Sequence, residues 1–230
     1  MRAATPGLFV TGTDTGAGKT VVAAAVVAAL RAHRRRVAAF KPVVTGTGEP
    51  AAGVWPADHE LLAAASGALP EEVTAQTFEP AVSPHLAAEL AGTQLSLDTL
   101  VAAARHAATD ADVLVVEGVG GLLVPLNAEH DIRDLAVALG LPVVIAARPG
   151  LGTINHSLLT VEAARAAGLD VRAVVLTPWP LEPSVMERSN RKTIARRARV
   201  EVAGLPETSP APEDLARAGA TLPLDRWLAT

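Results

Sequence analysis

No cysteine occurs anywhere in the 230 residues of this chain. Disulfides, thiolate nucleophiles and cysteine-ligated zinc or iron–sulfur centres are thereby excluded. Tyrosine is absent as well, and three Phe with three Trp make up all the aromatics. Platforms on which single-stranded nucleic acid stacks are therefore lacking. Positive charge is not in excess: 20 Lys and Arg face 24 Asp and Glu, for a formal net charge of −4. No global field attracts nucleic acid. The basic runs at residues 34–36 (RRR) and 191–199 (RKTIARRAR) stand isolated in an acidic chain and read as solvated helix faces. The longest charge-free apolar run, residues 21–30, is half of the ~20 residues a membrane span needs. The first residues also lack a basic segment followed by an apolar core and a cleavage site. The expectation is a cytoplasmic protein with neither membrane nor nucleic acid as a partner.

What is present is a hydrophobic half of the chain, enough for a large core, at a length that fits one α/β domain spanning residues 1–230. The stretch at residues 8–30, LFVTGTDTGAGKTVVAAAVVAAL, organises the rest. An apolar run stops at GTDTGAGKT, and an uninterrupted Ala/Val/Leu run starts after Lys19 and Thr20. That pattern reads as strand, loop and helix. Such a loop turns successive backbone N–H groups inward, and the positive end of the helix dipole adds to their field. Thr13, Asp14, Thr15, Gly16, Ala17, Gly18, Lys19 and Thr20 are the expected contacts of a nucleotide polyphosphate, with Lys19 as a mobile cation and the Thr20 hydroxyl as a Mg²⁺ ligand. Five residues separate Gly12 from Gly18, one more than in the usual motif, so this is a variant P-loop.

Strand and helix signals then alternate. Strands are expected at residues 37–41, 113–117, 143–147 and 171–176. Helices are expected from Asp58 to Gly67, at 85–90, at 97–108, from about Ile154 to Ala167, from Ser184 to about Arg199, and as a short C-terminal piece. Residues 43–56 read as a loop, and a Pro/Ser/Glu-rich stretch precedes the C-terminal helix. Strands separated by helices of this length favour a mostly parallel sheet covered by helices on both faces, a single-domain P-loop NTPase.

Ligand groups in such sheets stand at the C-terminal strand ends. Lys41 and Thr45 follow the second strand, Asp58 lies beyond the loop, and Glu117 with Gly120 ends the third. Mg²⁺ prefers oxygen ligands, and Glu117, after four buried residues, is well placed to hold it. Asp58 reads equally as a helix N-cap, and Lys41 equally as a cation snorkelling from a strand end.

Five blocks carry a family resemblance: GTDTGAGKT at 12–20, FKPVVTG at 40–46, SPH at 83–85, VEGVGGLLVPL at 116–126 and GLGTINHSLLT at 150–160. In this order they resemble the dethiobiotin synthetases. The resemblance implies a homodimeric cyclo-ligase that joins CO₂ or bicarbonate to 7,8-diaminopelargonate, with Mg²⁺ and ATP or another nucleoside triphosphate. On this likeness Lys19, Lys41 and Thr45 are catalytic, and Thr20, Asp58 and Glu117 ligate Mg²⁺. Thr15, Lys41 and Thr45 face the diamine. Gly152, Thr153, Ile154 and Asn155 receive its carboxylate from the partner subunit. Thr177, Pro178, Pro206 and Glu207 lie by the base and ribose. Two positions depart from the family. Gly16 stands where many members carry Glu, and the usual base-reading Asn-Asp is replaced by TPWP at 177–180, where Trp179 is expected to stack on any base. A ParA/MinD-like ATPase switch is the alternative; it carries a second lysine where Thr13, Asp14 and Thr15 stand. A cobyric-acid-type amidotransferase needs a cysteine-based glutaminase domain, which this chain cannot supply.

Overall fold

In the computed structural model residues 5–48, 55–74 and 76–229 are described, so part of the loop expected at 43–56 lies outside them. Along the chain run β1 (Gly7–Gly12), α1 (Lys19–Ala32), β2 (Val37–Phe40), β3 (Val44–Thr45), α2 (Asp58–Ser66), α3 (Pro70–Val73), β4 (Thr77–Phe78), α4 (Pro84–Leu90) and α5 (Leu97–Ala107). There follow β5 (Val113–Glu117), α6 (Ile132–Leu139), β6 (Val143–Ala147), α7 (Thr153–Ala166), β7 (Val171–Trp179), α8 (Val185–Ala198), β8 (Glu201–Pro206), α9 (Pro212–Gly219) and α10 (Leu224–Leu228).

Six strands form one sheet in the order β2-β5-β1-β6-β7-β8, and every pairing in it is parallel. The period of two along each strand sorts its side chains between two cores. Leu8 and Val10 of β1, Val113 and Val115 of β5, and Val144 and Ala146 of β6 meet α1, α2, α9 and α10 on one face. Phe9, Leu114, Val116, Val143, Ile145 and Ala147 point the other way, toward α5, α6, α7 and α8. The strands are apolar on both sides because both faces are covered. Helix α1 is buried almost all round, from Val22 to Leu30, because α2 and α9 close over its outer side. Its alanines allow that closeness: at Gly219 of α9 an added Cβ would stand 2.1 Å from the Ala25 carbonyl oxygen. Among the described residues no helix is long and apolar enough to cross a membrane.

The structure adds α3, α6, β8, a second C-terminal helix and the two-stranded β3–β4 sheet to the elements expected from sequence. Residues 118–142 hold α6, opened by Asp131, whose carboxylate accepts from the Asp134 N–H, and closed by Gly140. Strand β7 continues through Trp179 rather than ending at Leu176. The basic runs serve the fold. Arg191 donates to the Val202 carbonyl and stacks over Trp179, 5.4 Å from the ring centre.

Arg36 closes the lower end of the β2–β5 ladder. Its guanidinium reaches Asp112 at 2.7 Å, and its N–H donates to the same carboxylate at 2.9 Å. The side-chain bond from Arg36, then its backbone bond, hold the Asp112 carboxyl down at about 2. A depressed carboxylate contributes stability above its unfolded value of ~3.9, and that contribution is lost as pH falls through about 2. Carboxyl-carbon NMR is expected to show Asp112 titrating near 2, and to show it returning most of the way toward ~3.9 in Arg36→Ala. A wild-type midpoint near 4 overturns this account.

Candidate active site

Strand β1 delivers the loop 12–20 to the C-terminal edge of the sheet, where β5 and β6 flank it. Gly18, at φ +87°, caps α1 in a left-handed conformation, and a Cβ there would meet Thr177 Cγ2 at 2.4 Å. Only glycine combines that angle with that closeness. Lys19, the first residue of α1, is 7% exposed and donates to the Asp14 carbonyl at 3.1 Å. Burial pulls its ammonium below the usual lysine range; Lys41 acts in the same direction and Glu117 opposes.

Sheet order brings together three residues distant in sequence. Glu117 ends β5, Lys41 follows β2 next to it, and Asp58 opens α2. Lys41 Nζ lies 2.6 Å from Glu117 Oε1 and 2.7 Å from Asp58 Oδ2. Thr20 Oγ1 lies 2.8 Å from Asp58 Oδ1 and 2.9 Å from Glu117 Oε1, and its one O–H serves them in turn. Both alternatives left open by sequence are thereby decided. Lys41, 2% exposed, is bound between carboxylates rather than snorkelling. The N-cap of α2 is Ala57, and the Asp58 carboxylate turns to Thr20 and Lys41.

Burial pulls the Lys41 ammonium down, but Glu117 and Asp58 outweigh it and hold the group above the usual lysine range. For Asp58, the upward push of burial is outweighed by Lys41, Thr20 and Lys19, so the carboxyl lies below the usual range. Burial dominates at Glu117 and pushes its carboxyl up. Glu117 Oε2 is buried with no hydrogen-bond partner among the described residues. Among the described residues no group of three or more His, Asp or Glu side chains is arranged to hold a metal. Two carboxylate residues, one of them with an orphaned oxygen, and a hydroxyl fit Mg²⁺, which takes few protein ligands and keeps several waters.

A cleft of about 620 Å³ opens above this cluster, lined by Thr15, Lys19, Thr20, Lys41, Thr45 and Asp58 among others, with Gly16, Gly18 and Gly120 at its wall. Thr13, Asp14 and Ala17 do not line it. The Thr13 N–H bonds the Ala146 carbonyl, the Asp14 carboxylate accepts from the Thr15 N–H, and Ala17 is buried. Glu117 lies fully buried beneath the lining, behind Lys41. Within one chain Gly152, Thr153, Ile154 and Asn155, at the start of α7, line neither this cleft nor the next one.

A second cleft of about 550 Å³ is lined by Thr177, Pro178, Pro206 and Glu207, and also by Arg148, Glu187 and Thr208. The two clefts share Gly16, Gly18, Val21 and Trp55. Trp179 is a correction. It does not line the second cleft; its ring lies against Gly204, where a Cβ would meet Trp179 Cγ at 2.4 Å. The β7–β8 register shifts between Leu176 and Trp179, which pairs with Pro206, so the ring does not stay on the Thr177 face as unbroken alternation would keep it and packs on Gly204 of β8. Arg148 and Thr208 are site residues that sequence reasoning missed. An arginine after an apolar strand looks like a solvated end, and only the β1–β6 pairing sets it beside residue 16.

A family model described as an AAA domain matches residues 6–210. ATP-dependent dethiobiotin synthetase BioD of Anaeromyxobacter dehalogenans (strain 2CP-C) is 46% identical over 83% of this chain and 84% of its own length. The protein of the same name from Anaeromyxobacter sp. (strain Fw109-5) is 45% identical over 84% and 90%. Among solved structures, a ParA family ATPase from Chlorobium tepidum TLS superposes with a TM-score of 0.52 at 11% identity, covering 95% of this chain and 91% of that one. Chloroplast FtsY from Physcomitrella patens gives 0.53 at 14% identity, covering 95% and 66%. These two likenesses concern the fold alone. Sequence identity of this extent, over a chain whose P-loop, Lys41 and Asp58 line one cleft with Glu117 buried beneath them, shows that the chain belongs to the dethiobiotin synthetase family.

Proposed function

We propose that this chain carboxylates 7,8-diaminopelargonate with CO₂ and closes the cyclic urea of dethiobiotin, converting a nucleoside triphosphate to the diphosphate and phosphate. The observation that carries the reading is the second buried lysine: Lys41 stands beside the P-loop cation Lys19, both facing one cleft. A carbamate is a weak, negatively charged nucleophile that must approach a polyphosphate carrying more negative charge. Two ammonium groups offset that repulsion and stabilise charge developing in phosphoryl transfer.

Lys19 binds the β and γ phosphates, and Lys41 with Thr45 and Thr15 orients the carbamate. Thr20, Asp58 and Glu117 would hold Mg²⁺, which neutralises polyphosphate charge when bound. The carbamate oxygen attacks the γ phosphorus as the nucleoside diphosphate leaves with the P–O electron pair. The second amine of the same molecule then attacks the carbon of that carbamic-phosphoric anhydride, and the C–N bond forms as phosphate leaves with the C–O electron pair and takes up the amine's proton. That closure is intramolecular, so positioning supplies much of its rate and no side-chain nucleophile is required. Thr177, Pro178, Pro206 and Glu207 accommodate base and ribose. A nucleoside triphosphate cosubstrate supports a cytoplasmic location.

The diamine carboxylate is received by Gly152, Thr153, Ile154 and Asn155 of a second copy in a homodimer. A helix start suits a carboxylate through its N–H groups and the positive end of its dipole. The surface supports a second copy: Leu151 is 89% exposed, Leu181 and, at the start of α8, Val185 and Met186 are exposed too, and α8 is tied to the α7 start by Asn190, which bonds the Pro149 and Gly150 carbonyls. Phosphate release is expected only when diamine and bicarbonate are both present, from a protein that sediments as a dimer. Turnover unchanged by both additions sinks the synthetase reading in favour of a switch ATPase. A fully active monomer sinks the shared site.

A further inference from the structure

We propose that Arg148 is a nucleotide-binding residue that contacts the nucleoside side of the bound triphosphate. The proposal rests on the reading of the P-loop cleft as a triphosphate site and extends it to a residue with no role in that reading. Arg148 directly follows β6, and the pairing of Gly12 with Ala146 carries it alongside the P-loop. Its Nε–H donates to the Gly16 carbonyl at 3.0 Å. A Cβ at residue 16 would stand 2.6 Å from Arg148 Nη2, so with any other residue there the guanidinium would have to shift. Gly16 therefore leaves room for a guanidinium to lie across the loop.

A guanidinium presents five N–H donors in a rigid fork. The bond to Gly16 engages one of them. Among the described residues, no carboxylate lies within ion-pair distance of Arg148, and its terminal nitrogens donate no hydrogen bond. The side chain is exposed and lines the 550 Å³ cleft with Thr177, Pro178 and Glu207, but not the 620 Å³ cleft of Lys19 and Lys41. A ligand whose phosphates sit at Lys19 crosses the shared wall at Gly16 and Gly18 to enter the second cleft. It then passes Arg148 with its ribose and base, both rich in acceptor atoms. The anchored Nε fixes the fork in advance, so little side-chain entropy is lost on binding.

Two bland roles compete: a solvated surface cation, and a clip that only stiffens the loop. Binding of ATP and of inorganic tripolyphosphate, each with Mg²⁺ and without diamine, separates them. In Arg148→Ala, ATP is expected to bind about tenfold more weakly or worse, the loss of charge-assisted hydrogen bonds. Tripolyphosphate, which has no nucleoside, is expected to change by less than about twofold. In turnover, KM for ATP should rise while kcat at saturation holds. Unchanged ATP affinity assigns Arg148 to solvent, and equal losses on both probes assign it to the loop; either overturns the proposal. A wild-type protein that binds neither probe overturns the P-loop reading instead.

Discussion

Lys41→Ala is expected to lose about 10²–10³-fold in turnover, as for removal of one preorganised charge-stabilising group, and to lose stability as well. The second loss follows from burial. Lys41 is 2% exposed and Glu117 is 0% exposed, and they lie 2.6 Å apart. Removing one partner of a buried pair leaves the other charge uncompensated, at a cost of about 3–5 kcal/mol. For a chain of this length each kcal/mol moves Tm by about 2–4 °C, so a drop on the order of 10 °C is expected. Lys19→Ala should lose comparable turnover but much less Tm, because its Nζ reaches a loop carbonyl and, among the described residues, no carboxylate at hydrogen-bond distance. The double variant Lys41→Ala with Glu117→Gln separates the effects: the neutral amide recovers most of the stability and none of the turnover. Near-normal turnover in Lys41→Ala removes that residue from the mechanism. An unchanged Tm refutes the structural weight given to the pair.

The particular residues show why part of this site is readable from sequence and part is not. The strand at 113–117 ends at Glu117 as expected, because an unbroken apolar run bounded by a carboxylate and glycines is a local signal. The P-loop is local too, and α1 begins at Lys19, where the apolar run begins. Lys41 and Asp58 are different. Their chemistry is visible, but their meeting depends on β2 lying beside β5, a sheet order no local pattern encodes. Arg148 is invisible for the same reason, since its partner lies 132 positions away. Helix α6 had a legible start in its Asp131–Asp134 pair and a legible stop in Gly140. Strand β8 had neither: Glu201, Gly204 and Pro206 are poor strand formers, tolerated because β8 is an edge strand paired only with β7.

Stripping Mg²⁺ from the protein is expected to lower turnover by at least about 10³-fold while leaving the wild-type fold in place. Several kcal/mol of charge stabilisation on the polyphosphate depend on the ion, which accounts for the first half. The second half comes from the charges around Thr20. Asp58 and Glu117 face Lys41 in direct contact, and Lys19 adds a second cation nearby, so two carboxylates are matched by two ammonium groups without any metal. With Lys41 already paired to both carboxylates, Mg²⁺ should bind the nucleotide-free wild type weakly. At Mg²⁺ no higher than that Kd its removal should cost no more than ~0.4 kcal/mol, moving the wild-type Tm by no more than ~2 °C. Lys41→Ala reverses the pattern. With the ammonium gone, Glu117 keeps its orphaned Oε2 and loses its ion-pair partner, and a divalent cation becomes the available compensating charge. In that variant Mg²⁺ at 100 times its Kd should restore about 2.7 kcal/mol, or roughly 5–11 °C. Turnover should stay low, because the cation that orients the carbamate is still missing. Thermal melts of both proteins with Mg²⁺ or with chelator test this directly. A wild-type Tm that falls on chelation as far as it falls in Lys41→Ala, or a variant indifferent to Mg²⁺, would show that Thr20, Asp58 and Glu117 do not form the metal site.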